Sequence, residues 1–311
     1  MINVKRIYDL IVIGGGPGGY TAALYGARAG LQVLVLEKLS AGGQMALTHR
    51  IDNYPGFEDG IDGFELGERM QRQAERFGAK TEYAEVQSVR LGGAEKEIKT
   101  DIDTFFAKTV VIATGANPRE LGIPREQEMT GRGVGYCAAC DGMFYKNKTV
   151  VVIGGGNSAA AEAAILSRIA ARVIVVHRRD TLRAEKASMK ALENAQNVEF
   201  RLNSVAEVLL GDDKISGVRI RNVISGEESE IACDGVFVSI GRKPASQLFA
   251  GQLELDPAGY IAAGESTETS IPGVYAVGDV RVKALRQVIT AAADGAMAAH
   301  HAESYLAKLE A

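Results

Sequence analysis

The sequence predicts an α/β protein of two dinucleotide-binding units, the second inserted into the first. Three observations carry this. Two apolar strands run directly into glycine turns, Gly14-x-Gly16-x-x-Gly19 and Gly154-x-Gly156-x-x-Ala159. Each turn is followed by an alanine-rich stretch and a second apolar strand, the Rossmann-like βαβ context that lets backbone approach a pyrophosphate at a helix N-terminus. The last third, through Gly278-Asp279, then returns to the first unit, which is therefore discontinuous: residues 1–116 and 245–311 enclose residues 117–244.

In chain order, Ile7 to Ile13 is an apolar, β-branched run that reads as a buried parallel strand. Gly14, Gly16, Pro17 and Gly19 form the turn, a helix runs from about Tyr20 to Ala29 with Gly30 as its stop, and a strand from Leu31 to Leu36 ends at Glu37. An acid at that point accepts ribose hydroxyls. Ala41-Gly42-Gly43-Gln44 and Ile51-Asp52-Asn53-Tyr54-Pro55-Gly56 read as extended backbone against a flat ligand, or as a glycine-rich surface loop. Ile61 to Phe77 is an amphipathic helix whose charges make a solvated face.

The second unit restates the first. Lys148 to Ile153 leads into Gly154, Gly156, Asn157, Ser158 and Ala159, then a helix from Ala160 to Ala170 and a strand from Arg172 to Val176. Val110-Val111-Ile112-Ala113-Thr114-Gly115 with Pro118 matches Val236 to Gly241 with Pro244. One difference is informative. Counting 23 positions from the leading glycine reaches Glu37 in the first unit and His177 in the second, followed by Arg178, Arg179 and Arg183. Planar guanidinium groups pair with phosphate oxygens, so this cluster suits a ribose 2′-phosphate, and NADPH is the expected ligand. The bland alternative is a solvated basic patch partly neutralised by Asp180 and Glu185.

In the last third, Gly273 to Val280 is a strand ending in Gly278-Asp279, and Arg286-Gln287-Val288 opens a helix from about Ala291 to Leu309. Asp279 suits either a ribityl hydroxyl or a helix cap, and a helix N-terminus stabilises negative charge on a reduced flavin. Between the two glycine turns lies Cys137-Ala138-Ala139-Cys140-Asp141. Alone, such a pair is a redox dithiol, half a zinc site or chance; between two nucleotide sites it reads as the point where electrons leave a cofactor for sulfur. Cys233 reads as a structural cysteine.

Composition narrows the classes. The chain has 311 residues, 46% hydrophobic and 24% charged, with a net charge of −4. No overall basic field points to nucleic acid. No apolar run reaches the length of a membrane span and no secretory signal is evident, so a cytoplasmic protein is expected. Three cysteines do not make a secreted disulfide framework.

Taken together and in order, these motifs, with Gly42-Gly43-Gln44 and Ala113-Thr114-Gly115, resemble the low-molecular-weight thioredoxin reductases of bacterial type over essentially the whole chain. The resemblance implies a homodimer passing electrons from NADPH through FAD to its own Cys137–Cys140 disulfide and then to thioredoxin. It places FAD in the first unit, near Glu37, Gly43, Gln44, Asn53, Val86, Ala113, Asp279, Arg286, Gln287 and Val288. It also implies that Cys140 faces the flavin, Cys137 attacks thioredoxin and Asp141 serves as acid. Alternatives are another disulfide client, ferredoxin as donor, or a dithiol oxidase. The short connections at 115–118 and 241–244 are expected hinges for a rotation between half-reactions.

Overall fold

In the computed structural model, residues 6–48, 50–185, 189–190, 192 and 195–310 are described. The chain divides into two compact units, Met1–Asn117 with Lys243–Ala311, and Pro118–Arg242. The connections between them run side by side as a two-stranded ribbon, Ala116–Pro118 against Arg242–Pro244.

The first unit is built on the strand Ile7–Ile13, whose apolar run is buried because parallel neighbours flank it on both sides. Val12 pairs with Val35 on one side and Val111 on the other, and all three are fully buried. Lys80–Tyr83 extends the sheet beyond Val33–Glu37. On the other side the long strand Thr104–Ile112 divides its free edge. Its first residues pair antiparallel with Lys96–Thr100, which pairs in turn with Val86–Arg90. Its last three pair in parallel with Val274–Ala276. The C-terminal segment thus completes the sheet that the N-terminal segment begins.

The helix Pro17–Arg28 packs against the terminal helix Val288–Glu310. Small residues set their closeness: a Cβ on Gly18 would lie 3.1 Å from the Ala291 carbonyl oxygen, and one on Gly295 would strike the Gly18 carbonyl. That explains a glycine in the middle of a helix, where it otherwise costs about 1 kcal/mol against alanine.

The second unit repeats the plan. Its parallel sheet has the order Val198–Arg201, Arg172–Val176, Thr149–Ile153, Gly235–Val238, Val134–Gly135. A three-stranded antiparallel sheet, Ser204–Leu210, Gly217–Asn222 and Glu228–Ala232, lies outside it. The repeat holds at the atomic level, since Gly14 closes on the Ala113 carbonyl and Gly154 on the carbonyl of its counterpart Ser239.

Element boundaries differ from the sequence expectation in physically readable ways. The first helix starts at Pro17 rather than Tyr20, because proline fits the first helical turn, where no N–H partner is needed. The terminal helix starts at Val288, helped by the Thr290 hydroxyl, which accepts from the Gln287 N–H at 3.2 Å. The helix expected over 160–170 spans Asn157–Leu166. The stretch 273–280 is a short strand, Val274–Ala276, followed by a 3-10 turn, Gly278–Val280. Gly43–Leu47 is also a 3-10 turn and not extended backbone; Gly42 and Gly43 have φ of 103° and 56°, which curl the chain.

Candidate active site

The Cys137–Cys140 pair is closed as a disulfide, with Cα atoms 5.3 Å apart. Cys137 caps a one-turn helix, Ala138–Asp141, and its carbonyl accepts from the N–H groups of Cys140 (3.1 Å) and Asp141 (3.0 Å). The approach to Cys137 is fixed from behind. Glu126, 3% exposed, accepts the Leu121 and Gly122 N–H groups and the Tyr136 hydroxyl, the last at 2.9 Å. Asp141 turns back over Gly135, where an added Cβ would lie 3.4 Å from its Oδ2. Burial raises the Asp141 pKa to about 6, so the carboxyl can hold a proton near neutrality. Directly after it, Met143 and Phe144 are exposed apolar side chains. Cys233 is 5% exposed and, through burial and then the neighbouring Asp234, its thiol is pushed up to about 12, which keeps it inert.

The nucleotide turn of the second unit lies in the same unit as this disulfide. Gly156 caps the helix Asn157–Leu166 with no side-chain partner at the N-terminus, and a Cβ on Gly156 would meet nothing within 4 Å. Ser158 is exposed in the first turn, while Ala159 is buried against Gly154. The basic loop is tied down over the turn: the Arg183 N–H donates to the Gly155 carbonyl at 2.6 Å. Asn157 and Glu185 bond reciprocally, Nδ2 to Oε1 at 3.0 Å and the Glu185 N–H to Oδ1 at 2.8 Å. Glu185 is thereby an anchor for the loop. Arg178, Arg179 and Arg183 are exposed and form no ion pair among the described residues. His177 is 5% exposed, its ring packs on Gly155, and its Nε2 has no partner. Burial first, then Arg183, Arg178 and Arg179, lower its pKa, so it is a neutral wall behind the three cations.

In the first unit Glu37 sits at the strand end as expected for a ribose partner. Its Oε2 accepts from the Gly15 N–H at 2.6 Å and its Oε1 from the Leu39 N–H at 3.0 Å, which orients the carboxylate over the glycine turn. Ala113 is held to Ile13 by a 2.8 Å backbone bond beneath Gly14, and the Glu37 carbonyl accepts from Ala84, two residues before Val86. Gly42 donates to the Gly15 carbonyl, so the Gly43-Gln44 turn leans on the same site. Gln44 donates to Asn117 at 3.0 Å and Asn53 to Gln287 at 2.8 Å, joining residues 234 positions apart. Arg286 lies over the Tyr260 ring at 4.2 Å with a buried, unpartnered Nε. Asp279 lies in the 3-10 turn after Gly278. A feature invisible in the sequence holds that turn: the Asp294 carboxylate accepts from the Gly278 N–H (2.8 Å), Arg281 (2.7 Å) and Lys283 (2.7 Å), all buried.

The residues fit two dinucleotides. A Cβ on Gly16, as on Gly156, would meet no protein atom within 4 Å, so protein packing does not require glycine there. A carboxylate lies at the strand end of the first unit, and in the second lie cations without an ion pair among the described residues, which suits a free ribose in the first and a phosphorylated one in the second.

Residues 8–295 match the pyridine nucleotide-disulphide oxidoreductase family. The chain belongs to that family. Within it, the chain is 45% identical to the thioredoxin reductase of Treponema pallidum over 97% of this chain and 98% of that one. It is 47% identical to the thioredoxin reductase of Streptomyces coelicolor, over 98% and 96%. The crystal structure of thioredoxin reductase from Streptococcus pyogenes superposes with a TM-score of 0.90 at 43% identity, covering 97% of this chain and 99% of that chain.

Proposed function

We propose that the protein is an NADPH-dependent thioredoxin reductase, carrying electrons from NADPH through FAD and the Cys137–Cys140 disulfide to oxidised thioredoxin. The observation that carries the reading is a closed disulfide directly followed by Asp141, whose pKa burial raises to about 6, in the same unit as a glycine turn bonded to a loop of three exposed arginines that form no ion pair among the described residues. Met1–Asn117 with Lys243–Ala311 is the FAD-binding domain and Pro118–Arg242 the NADPH-binding domain.

When bound, the two cofactors supply a hydride and the electron pair that opens the disulfide. The chain does the rest. Glu37 would accept ribose hydroxyls, the Gly16 turn and the Pro17 helix N-terminus would hold the FAD pyrophosphate, and Asn53, Gln287 and the Asp279 turn would hold the flavin end. Arg178, Arg179 and Arg183 would hold the NADPH 2′-phosphate. Cys140 receives the electrons, Cys137 leaves as a thiolate, and Asp141 supplies its proton. Cys137 then attacks the thioredoxin disulfide through a mixed disulfide. Exposed Met143 and Phe144, in the turn that follows the disulfide in the chain, favour a protein client over a small disulfide. The protein works as a cytoplasmic homodimer, and its two units rotate about the paired connections between half-reactions.

Anaerobic mixing tests the core of this. NADPH should bleach the flavin rapidly and NADH weakly, and thioredoxin should reoxidise it only when both Cys137 and Cys140 are present. No bleaching by either nucleotide would overturn the NADPH assignment. A ferredoxin donor is the second reading, and the loop pinned over Gly155 by Arg183 stands against it.

A further inference from the structure

The buried cluster at the Gly278–Val280 turn holds one cation more than its acid needs. Arg281 alone forks both oxygens of Asp294, Nη2 to Oδ1 at 2.7 Å and Nε to Oδ2 at 2.9 Å, and the Gly278 N–H donates to Oδ2 at 2.8 Å. A bidentate guanidinium with a backbone donor already satisfies a carboxylate. Lys283 is added to that set: its Nζ lies 2.7 Å from Oδ2, and its side chain is 6% exposed. The Arg281 and Asp294 side chains are 3% and 8% exposed, so two cations are sealed on one acid. Lysine is rarely buried, and here its acid has a complete partner without it.

The cluster is bonded directly to the turn. The Arg281 N–H donates to the Gly278 carbonyl at 3.4 Å, and a Cβ on Gly278 would lie 3.5 Å from Ala291, in the first turn of the terminal helix. Arg286 donates to the Arg281 carbonyl at 3.5 Å. Around the turn stand three cations, Arg281, Lys283 and Arg286, against two acids, Asp294 and the half-buried Asp279. Glu265, which also faces Arg281, is exposed and its charge is screened by solvent.

We propose that Lys283 serves flavin reduction: held through Asp294 at the Gly278–Val280 turn, its buried charge stabilises the negative charge the flavin acquires from NADPH. This deepens the reductase reading and rests on it for placing the flavin end at the turn. NADPH gives up a hydride, two electrons and one proton, and leaves as NADP+; the oxidised ring, neutral before, then carries one negative charge. A cation nearby favours that product over the oxidised ring. At an effective dielectric near 20, a unit charge within about 12 Å shifts such an equilibrium by about tenfold.

The test is an anaerobic reductive titration of the purified holoenzyme against a reference dye of known potential, read at the flavin absorbance. In Lys283→Gln the flavin should be about tenfold harder to reduce, a fall of about 30 mV for a two-electron couple. Lys283→Met, which fills similar volume without charge, should show the same fall, and Lys283→Arg should restore the parent value. An unmoved or raised midpoint in both neutral variants would overturn the proposal, as would an equal fall in Lys283→Arg, which would make the effect one of packing. A shifted midpoint in a protein that does not reduce thioredoxin leaves Lys283 in its role and removes only the client. An unmoved midpoint in a working thioredoxin reductase removes this inference alone.

Discussion

At the scale of single residues, Asp141 is functional at a cost to stability. Burial lifts its folded pKa from 3.8 to about 6, so the native state binds more protons than the unfolded chain between those values. Stability therefore falls as pH rises through that window and stays lower above it. Asp141→Asn should thus be the more heat-stable protein at pH 8, by up to about 3 kcal/mol, while its disulfide reduction slows; equal melting at pH 8 would contradict the burial argument. Glycines give a second contrast. Gly16→Ala should fold normally and lose flavin, because the new methyl meets only the ligand's space. Gly19→Ala should lose the fold, because its Cβ would strike the Gly14 carbonyl. Flavin content and melting temperature separate the two. In the second unit, replacing Arg178, Arg179 and Arg183 by alanine should erode the preference for NADPH over NADH by about 10–100-fold for each lost charged hydrogen bond, read from KM for the two nucleotides.

At the scale of elements, Asp294 joins the terminal helix to the Gly278–Val280 turn. Burial alone would raise its pKa, but Arg281, Lys283 and the Gly278 N–H outweigh this and hold it low. Its contribution is present above the unfolded carboxylate pKa and is lost as pH falls through the folded one. Asp294→Ala leaves two cations buried without their acid, which costs about 3–5 kcal/mol; urea melts should show it, together with weakened flavin retention. The elements that were legible in the sequence are those with a local signature. Ile7–Ile13 and Thr149–Ile153 are apolar on both faces because parallel neighbours cover them, and their glycine turns announce the ligand. The antiparallel strand Glu228–Ala232 is polar and open over its first three residues, and Ser204–Leu210 is half-buried without a clean alternation, so neither has a local signature. At the site, Cys137, Cys140, Asp141, Glu37 and the arginines could be named because spacing alone relates them. Asn157 with Glu185, Glu126 with Tyr136, and Asp294 with Lys283 could not, because only the fold brings each pair together.

For the whole molecule, the proposal requires that two units joined by a narrow ribbon change orientation during each cycle. An engineered crosslink across them should abolish steady-state turnover while sparing one of flavin reduction by NADPH or flavin oxidation by the disulfide. Stopped-flow absorbance distinguishes these steps, and full turnover in the crosslinked protein would end the rotation model. The divided sheet of the first unit has a further consequence, for synthesis on the ribosome. The central strand Thr104–Ile112 emerges early, yet its partner Val274–Ala276 and the packing helix Val288–Glu310 are translated well after it, beyond the inserted unit. The inserted unit, contiguous from Pro118 to Arg242, has all its strands by then and can fold while the outer one is still waiting. A nascent chain would thus acquire its disulfide-bearing half first, and the outer sheet would close only once Val274–Ala276 has emerged.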